Sequence, residues 1–414
     1  MILTAPNKRK ILNDPVHGFI SIPSDIIFDV IEHPYFQRLR RIKQLGLTEL
    51  VYPGALHTRF HHAIGSMHLM SLAIEVLRQK GHEISEHEAI SANLAILLHD
   101  IGHGPFSHAL ENSIVHNMNH EVLSELFMLK LNEVFHSELS TAIEIFNGSY
   151  KKKFLHQLVS SQLDVDRLDY LIRDSFFTGV SEGIIGTERI IKMLNVKDDE
   201  LVVDDKGIYS VEKFIVSRRL MYWQVYLHKT VLSAEQLMVM ILKRAEFVAK
   251  NGTDLFPTPA LKEFLYHTYQ RSDFIQNPEL LDVFAQLDDY DIFSGIKTWI
   301  YHPDIILSTL SRNLINRRLL SIEMQHQPFE LSRIEELKKA CVKKLHIQYE
   351  ETEYFVFSNQ VENKIYNPYG DRIKIHYKDQ RIKDISIASD QLDLDVLSKT
   401  VTKYFLCYPK ELRN

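Results

Sequence analysis

The segment SEHEAISANLAILLHDIGHGPFSH, residues 85–108, indicates how the first half of the chain folds. Its first four residues form a capping box, in which serine and glutamate side chains bond the free N–H groups at the start of a helix. Apolar residues at positions 90, 94, 97 and 98 then lie on one face of that helix. Two glycines and a proline follow and break the helical pattern. We therefore expect an amphipathic helix that turns one apolar stripe inward and ends at the adjacent pair His99-Asp100.

Histidine is concentrated around this helix. Eleven of the 21 histidines of the chain lie between residues 57 and 120, far more than an even distribution would place there. Neutral imidazole and carboxylate groups together suit divalent first-row metals, and an adjacent His-Asp pair supplies both ligand types. A lone His-Asp pair is common on protein surfaces, so the surrounding cluster carries more weight than the pair. The pattern favours a metal site at the end of the helix.

Two further predicted helices carry the remaining ligand types. Apolar residues recur at helical spacing from Ile64 to Leu77, and His62 stands at the start of that helix. A similar pattern from Leu163 to Ile172 carries aspartates at positions 164, 166, 169 and 174. His62 and one of these carboxylates would complete a set of two imidazoles and two carboxylates. Such a set leaves coordination positions open for water and a substrate oxygen.

Composition sets broader limits. The chain has 414 residues, 45% hydrophobic and 25% charged, which predicts two or three globular domains. A net charge of −6 disfavours general capture of nucleic acid, although lysine runs at 151–153 and 338–344, expected to be solvated faces, leave a local contact open. The N-terminus does not read as a signal peptide, and no stretch approaches the roughly 18 apolar residues of a membrane span. Two cysteines cannot form a disulfide framework, so we expect a cytoplasmic protein.

Strand signals are few, which predicts a mainly α fold with a small β-containing C-terminal region. Residues 200–210 predict a hairpin around Asp-Asp-Lys-Gly, and residues 16–23 predict another small one. The pattern over 254–340 is helical. From His346 to about Ser386 the alternation of apolar and polar residues, with a turn at 367–370, predicts a small β element. Prolines 257 and 259 favour a boundary between domains over 1–250 and 251–414, the second expected to serve oligomer assembly.

An ordered set of segments resembles a known family. The segments are NDPVHG (13–18), FQRLRRIKQLG (36–46), VYPGALHTRFHHAIG (51–65), LLHDIGHGPFSHALE (97–111), NHE (119–121), LDVDRLDYLIRD (163–174) and RRLMYWQVYLHK (218–229). With these, the first 230 residues resemble the HD-domain metal-dependent phosphohydrolases, and most of all the deoxynucleoside triphosphate (dNTP) triphosphohydrolases. The resemblance implies an HD-domain helical fold over residues 1–250, and it specifies the site residue by residue.

For the catalytic centre, the resemblance implies one divalent metal ion, which could be manganese, iron, nickel, zinc or magnesium. Its ligands would be His62, His99, Asp100 and Asp166. His103, His108 and His120 would surround the phosphates and the attacking water, with His103 and His120 as the proton-transfer pair. Arg59, Arg167 and Arg218 would hold the triphosphate, the alternative being structural ion pairs. Asp164 and Asp169 are expected to cap or pair on their helix.

For the substrate, the resemblance implies a deoxyribose pocket. Gln44 and Asp174 would bond the 3′-hydroxyl, and Leu45 and Tyr226 would pack against the 2′ carbon. Tyr170 would touch both sugar and phosphate, and Tyr222 belongs to the same substrate-binding set. A nucleotide effector between subunits would contact Lys10, Gln37, Arg40 and Lys206. The chain departs from the family at Glu32, because the guanine-reading residue at the matching position of the family is aspartate.

The remaining histidines receive less specific expectations. His61 is expected to be solvated or to lie behind the ligands, and the surface histidines are expected to be His57, His68, His82, His87 and His116.

The leading function is hydrolysis of a dNTP to a deoxynucleoside and triphosphate by a homo-oligomer, a dimer or tetramer, with a nucleotide activator left open. Two alternatives stay open: a phosphohydrolase acting on another nucleotide or phosphate ester, and a nucleotide or single-stranded nucleic-acid binding module with little turnover.

Overall fold

The structure is a computed structural model that describes residues 10–106, 118–363, 366–367, 370–390 and 400–413. Its fold is mainly α, as predicted. The helices of the first half are α1 (Asp25–Glu32), α2 (Pro34–Gln37), α3 (Arg59–Gln79), α4 (Glu86–Leu98), α5 (His120–Val134), α6 (Ser140–Phe146), α7 (Lys153–Val159), α8 (Val165–Thr178) and α9 (Thr187–Met193). Those of the second half are α10 (Ile208–Met221), α11 (Lys229–Lys250), α12 (Pro259–Tyr266), α13 (Arg271–Gln276), α14 (Glu279–Phe284), α15 (Asp289–Trp299), α16 (Ile305–Ile315), α17 (Leu331–Leu345) and α18 (Ile385–Ala388).

Nine strands accompany these helices in the part of the chain that the structure describes. They are β1 (Ile11–Asp14), β2 (Gly18–Ser21), β3 (Leu194–Lys197), β4 (Glu200–Asp204), β5 (Ser321–Gln325), β6 (Phe357–Asn363), β7 (Lys374–His376), β8 (Ile382–Asp384) and β9 (Val401–Tyr408). They form a β1-β2 hairpin, a sheet of order β3-β4-β7-β8 and an antiparallel sheet of order β5-β9-β6.

Helix α4 begins as the sequence predicts. The Ser85 hydroxyl accepts the Glu88 N–H at 3.2 Å, and the Glu88 carboxylate accepts the Ser85 N–H at 2.9 Å. The prediction of a single apolar stripe is wrong, because α3, α6 and α7 all pack on α4. From Glu88 to Leu98 every residue except Ile90 is buried. Helix α4 is therefore a central core helix, and its C-terminal end is held firmly in the interior.

The prediction placed a hairpin within residues 200–210, but the observed hairpin pairs Leu194–Lys197 with Glu200–Asp204. Strands β3 and β4 pair with their turn at Asp198 and Asp199, which have φ angles of 53° and 60°. Such left-handed pairs suit a tight two-residue hairpin turn. The Asp205–Gly207 segment instead forms a 3₁₀ turn that leads into α10. A Cβ on Gly207 would lie 2.6 Å from the Val203 side chain and 2.9 Å from that of Met193, so this turn packs closely against its neighbours.

The C-terminal region joins the first half through its strands. The predicted β element contains β6, β7 and β8, and β7 pairs in parallel with β4, Val203 opposite Ile375. The β1-β2 hairpin extends over Ile11–Ser21, so it begins upstream of the segment that predicted it, residues 16–23, and overlaps that segment. Strands β5 and β9 were not predicted. One hydrophobic cluster runs from Ile20 to Tyr408, and the domain boundary after residue 250, at the end of α11, stays a prediction.

Two further features concern the cysteines and the character of the helices. Cys341 and Cys407 are both buried free thiols. Among the helices that the structure describes, none has the length and apolar character that crossing a bilayer requires.

Candidate active site

Three helix ends bring the predicted metal ligands together. His62 lies in the first turn of α3, His99 and Asp100 stand at the C-terminal end of α4, and Asp166 lies in the first turn of α8. Oδ1 of Asp166 lies 3.0 Å from Nε2 of His62 and 3.4 Å from Nε2 of His99. Asp100 lies 3.4 Å from His99 and 3.9 Å from His62 by the same Nε2 atoms. The donor atoms of His62, His99 and Asp166 all lie within 4.8 Å of one another, and Asp100 lies beside the two histidines.

Their donor atoms fit a divalent ion. Nε2 of His62 and Nε2 of His99 are buried, and neither makes a hydrogen bond of acceptable geometry to any described residue. Both nitrogens lie within 3.4 Å of the same carboxylate oxygen, Oδ1 of Asp166. Two imidazole nitrogens and two carboxylates also match the ligand types that divalent first-row metals accept. The residues present therefore fit the metal that the sequence predicts.

The buried carboxylates of the site also require a compensating positive charge. Burial alone would lower the pKa of His62, but the adjacent carboxylates of Asp166 and Asp169 outweigh it and raise that pKa to about 10. Burial would raise the pKa of Asp166, yet His62 and His99 hold it well below its usual range. Clustered carboxylates at low dielectric need a compensating cation. A proton on imidazole or a divalent ion can meet that need.

Both ligand histidines are oriented through their other ring nitrogen. Nδ1 of His62 donates to Oδ2 of Asp169 at 2.8 Å, and Nδ1 of His99 donates to the Ile96 carbonyl at 2.6 Å. With the proton on Nδ1, the lone pair of Nε2 is free to bind a metal. Such outer partners set the tautomer and the ring orientation of metal-binding histidines.

Asp169 belongs to a buried network behind the ligands. Arg173 donates to it from Nε at 2.8 Å, and Nε2 of His17 lies 2.6 Å from its Oδ1. Arg173 also donates to Asp14 at 2.8 Å. A Cβ on Gly65 would lie 2.1 Å from Oδ1 of Asp169, so only glycine allows α3 and α8 to approach this closely. Sequence reasoning listed NDPVHG as a motif but assigned Asp14 and His17 no role.

A second His-Asp group lies next to the metal ligands. His103 and His120 stack with ring centroids 3.8 Å apart and planes 13° from parallel, and Nε2 of His103 lies 3.3 Å from Oδ1 of Asp100. Asp100, His103 and His120 are close enough to be considered as ligands of another ion. Stacked rings direct their in-plane lone pairs in parallel, however, so the two histidines cannot both point at one ion. Their geometry therefore disfavours a metal ion shared by both rings.

The imidazole of His103 is neutral near pH 7. Burial and the positive charge of Arg59 lower its pKa to about 3. Arg59 itself donates to Oδ2 of Asp100 at 2.7 Å. The third predicted catalytic histidine, His108, lies outside the described residues.

Of the predicted phosphate-binding arginines, Arg59 and Arg167 lie close to the metal ligands, and Arg218 lies near Tyr170. A cavity of about 500 Å³ is lined by His99, Asp100, Asp166, Arg167 and His120, among others. Arg167 donates to the Ser161 carbonyl at 2.7 Å and faces Asp164, which caps α8 by accepting the Arg167 N–H at 2.8 Å. Asp164 and Asp169 thus cap and pair on their helix, as predicted.

The predicted sugar-binding residues gather at the other end of α8. Asp174 accepts the Tyr226 hydroxyl at 2.7 Å, and Tyr226 and Tyr222 lie on a π-helical turn, Tyr222–Tyr226, after α10. Burial raises the pKa of Tyr170 to about 12 against the nearby charges of Arg218 and Arg167. The Tyr170 and Tyr226 rings lie 6.2 Å apart. These aromatic side chains form one wall beside Asp174.

His57 corrects the expectation of a surface residue. Its side chain is 1% exposed, and Nε2 donates to Oδ1 of Asp174 at 2.8 Å. Its carbonyl accepts the Gln44 N–H at 3.0 Å. His57 therefore connects Gln44 and Asp174, which lie far apart in the sequence.

Comparison with known proteins identifies the family. The HD domain model matches residues 59–174, and the HD associated region model matches residues 185–253. The crystal structure of a phosphohydrolase from Bacteroides thetaiotaomicron superposes with a TM-score of 0.94 at 52% identity, covering 97% of this chain and 100% of that one. The chain belongs to the HD-domain phosphohydrolase family. The matched HD domain contains all four predicted ligands.

Other relatives of this HD phosphohydrolase extend the likeness. The uncharacterized protein YwfO of Bacillus subtilis is 33% identical over 98% of this chain and 93% of its own length. The deoxynucleoside triphosphate triphosphohydrolase SAMHD1 homolog of Dictyostelium discoideum is 34% identical over 59% of this chain and 51% of its own length. The likeness to the second relative thus covers about half of that protein.

Several other histidines of the HD domain have structural partners among the described residues. His61 caps α3, because its Nδ1 accepts the Thr58 N–H at 3.2 Å. His68 is half-buried against His17, and His82 lies 2.6 Å from the Asn195 side chain. His87 is exposed, as expected, and His116 lies outside the described residues.

The predicted effector residues of the HD phosphohydrolase divide into two groups. Nζ of Lys10 lies over the Phe28 ring, Gln37 donates to the Ile31 carbonyl, and Arg40 donates to the Gln37 side chain at 2.8 Å. Glu32 acts on Arg40 through its charge. Lys206 is exposed in the 3₁₀ turn before α10.

Proposed function

We propose that the protein is a metal-dependent dNTP triphosphohydrolase, which hydrolyses a dNTP to a deoxynucleoside and triphosphate. One observation carries the proposal: Asp166, among the metal-binding donors, and Asp174, beside the tyrosine wall, lie on the same helix. Eight residues of helix separate them by about 12 Å. A nucleotide can span that length with its phosphate at one end and its sugar at the other. The name of the Dictyostelium relative is in keeping with this substrate.

The protein side chains supply most of the proposed chemistry. His62, His99, Asp100 and Asp166 would hold a divalent ion, which would neutralise charge and lower the pKa of water. His103, which is stacked on His120, takes the proton from the water that attacks the α-phosphorus, and the pair returns it to the 5′ oxygen that leaves. The bond from phosphorus to the 5′ oxygen breaks, which yields the deoxynucleoside and triphosphate.

The arginines and the aromatic wall account for recognition. Arg59, Arg167 and Arg218 bind phosphate oxygens through the fixed donors of the guanidinium group. Gln44 and Asp174 bond the 3′-hydroxyl, and Leu45 and Tyr226 exclude a 2′-hydroxyl. Tyr170 and Tyr222 complete the wall.

Regulation and assembly belong to the same proposal. A nucleotide effector binds between subunits at Lys10, Gln37, Arg40 and Lys206, and the C-terminal region takes part in a homo-oligomer.

The test is product analysis. The protein is incubated with each dNTP, singly and in mixtures, with manganese or magnesium, and the products are separated by anion exchange. Triphosphate together with a deoxynucleoside is expected, and hydrolysis in mixtures alone would reveal the effector. Release of monophosphate, or cleavage of another phosphate ester only, would favour the second enzyme class. Tight nucleotide binding without turnover, unchanged by Asp166→Ala, would favour a binding module.

A further inference from the structure

His57 lies at the junction of three elements. The ring stacks on Phe177 at the end of α8, with centroids 4.5 Å apart and planes 18° from parallel. A Cβ on Gly54 would lie 2.5 Å from the Phe177 carbonyl, so the loop before His57 is pressed against that helix end. The ring cannot move without disturbing one of these contacts. His57 therefore has a defined orientation in the interior.

The ring and the backbone of His57 serve different partners. Its Nε2 donates to Oδ1 of Asp174, and the Tyr226 hydroxyl donates to Oδ2, so both carboxylate oxygens are held. Its carbonyl accepts the backbone N–H of Gln44, and the Arg59 N–H donates to the Ile42 carbonyl beside it. These two bonds align the segment carrying Gln44 with the chain that enters α3.

The side chain of Gln44 points to a ligand. Its Oε1 is buried and has no hydrogen-bond partner among the described residues. A buried carbonyl oxygen without a partner costs free energy, and a ligand hydroxyl can satisfy it. The accepting groups of Gln44 and Asp174 are thus connected through one histidine.

We propose that His57 is a positioning residue that sets Gln44 and Asp174 at the spacing required to bind the 3′-hydroxyl of the substrate. The proposal rests on the dNTP triphosphohydrolase function proposed above. His57 does not touch the substrate. It decides whether a 3′-hydroxyl contributes to recognition, because it holds the carboxylate that would accept it.

The experiment compares a dNTP with the matching 2′,3′-dideoxynucleotide. We expect the wild-type protein to prefer the dNTP in kcat/KM by on the order of 10- to 100-fold. In His57→Leu the ring donor is lost but the backbone carbonyl stays, so kcat/KM for the dNTP should fall toward the value for the dideoxynucleotide. The rate with the dideoxynucleotide should change little. The exposed His87 provides the control His87→Leu, which should keep the wild-type ratio.

Conservative variants separate positioning from folding. The amide nitrogen of His57→Gln can reach the place of Nε2, whereas that of His57→Asn ends near Nδ1. We expect Gln to keep the substrate ratio and Asn to lose it, and this comparison stands even where His57→Leu fails to fold. Either of two results would overturn the positioning role. One is an equal loss of kcat/KM with the dNTP and the dideoxynucleotide, and the other is an unchanged ratio of the two kcat/KM values in all three variants. A wild-type protein that hydrolyses no dNTP under any metal or effector condition would overturn the proposed function, and this inference with it.

Discussion

Nδ1 of His62 lies 2.8 Å from Oδ2 of Asp169, and both side chains are fully buried. Asp169 is itself held by Arg173 and His17. The carboxylate of α8 thereby fixes the ring of a histidine on α3, with its free nitrogen directed at Asp166. The contact between Asp169 and His62 therefore orients one of the four predicted metal ligands.

Replacement of Asp169 by asparagine should weaken metal binding. The amide oxygen can still accept from His62, but the negative charge is lost and Arg173 keeps only Asp14 as a charged partner. Loss of such an outer partner lowers metal affinity by about 10- to 100-fold. Calorimetric titration with manganese should measure this change. Asp379→Asn, in an exposed turn, is the matched control, and equal affinities in both variants would contradict the role of Asp169.

Removal of the metal should destabilise the wild-type protein but not Asp166→Ala. A ligand that binds only the folded state adds about 2.7 kcal/mol at a concentration of 100 times its Kd. A chelator should therefore lower the Tm of the metal-loaded wild type, whereas the Tm of Asp166→Ala should be insensitive to it. Differential scanning fluorimetry gives the answer. A chelator effect of the same size in both proteins would mean that the ion binds elsewhere.

Gly102→Ala should separate the stacked histidines. The added Cβ would lie 2.2 Å from the His120 carbonyl and 2.3 Å from the Ser124 nitrogen, so the start of α5 must move away from His103. Overpacking of this kind costs about 1 to 3 kcal/mol. We expect kcat to fall at least about tenfold, because the pair is misplaced, while metal content measured by mass spectrometry stays at the wild-type level. Wild-type kcat in a folded variant would refute the proton-transfer assignment.

The buried Asp289 should make stability depend on pH. Burial, helped by the charges of Asp288 and Glu49, raises the pKa of Asp289 to about 7. Its Oδ2 accepts the Lys43 N–H at 3.0 Å, and its Oδ1 has no hydrogen-bond partner among the described residues. The folded state thus favours the protonated acid. This contribution to stability is complete below the ordinary pKa of 3.8 and is lost as pH rises through about 7.

Asp289→Asn removes that titration. Each pKa unit corresponds to about 1.4 kcal/mol, so the variant should gain stability relative to the wild type as pH rises from 5 to 8. Urea unfolding at the two pH values measures the difference. A stability difference between the two proteins that is the same at pH 5 and pH 8 would show that Asp289 does not titrate in this range.

Local sequence information determined the helices that carry the candidate site. The capping box at Ser85 and Glu88 and the helical spacing around His62 and Asp166 are satisfied within a few neighbouring residues, so α3, α4 and α8 follow from the sequence. The ordered motifs also placed the ligands at helix ends. Their role in binding a metal stays a prediction, although the structure brings the four side chains together.

Tertiary structure alone decided the features that depend on distant partners. His57 reads as a surface histidine until Asp174 and Phe177 enclose it, and Asp169 reads as a helix-surface carboxylate until His17, Arg173 and His62 surround it. Burial and long-range hydrogen bonds arise between segments a hundred or more residues apart, and the period of a single helix carries no information about them.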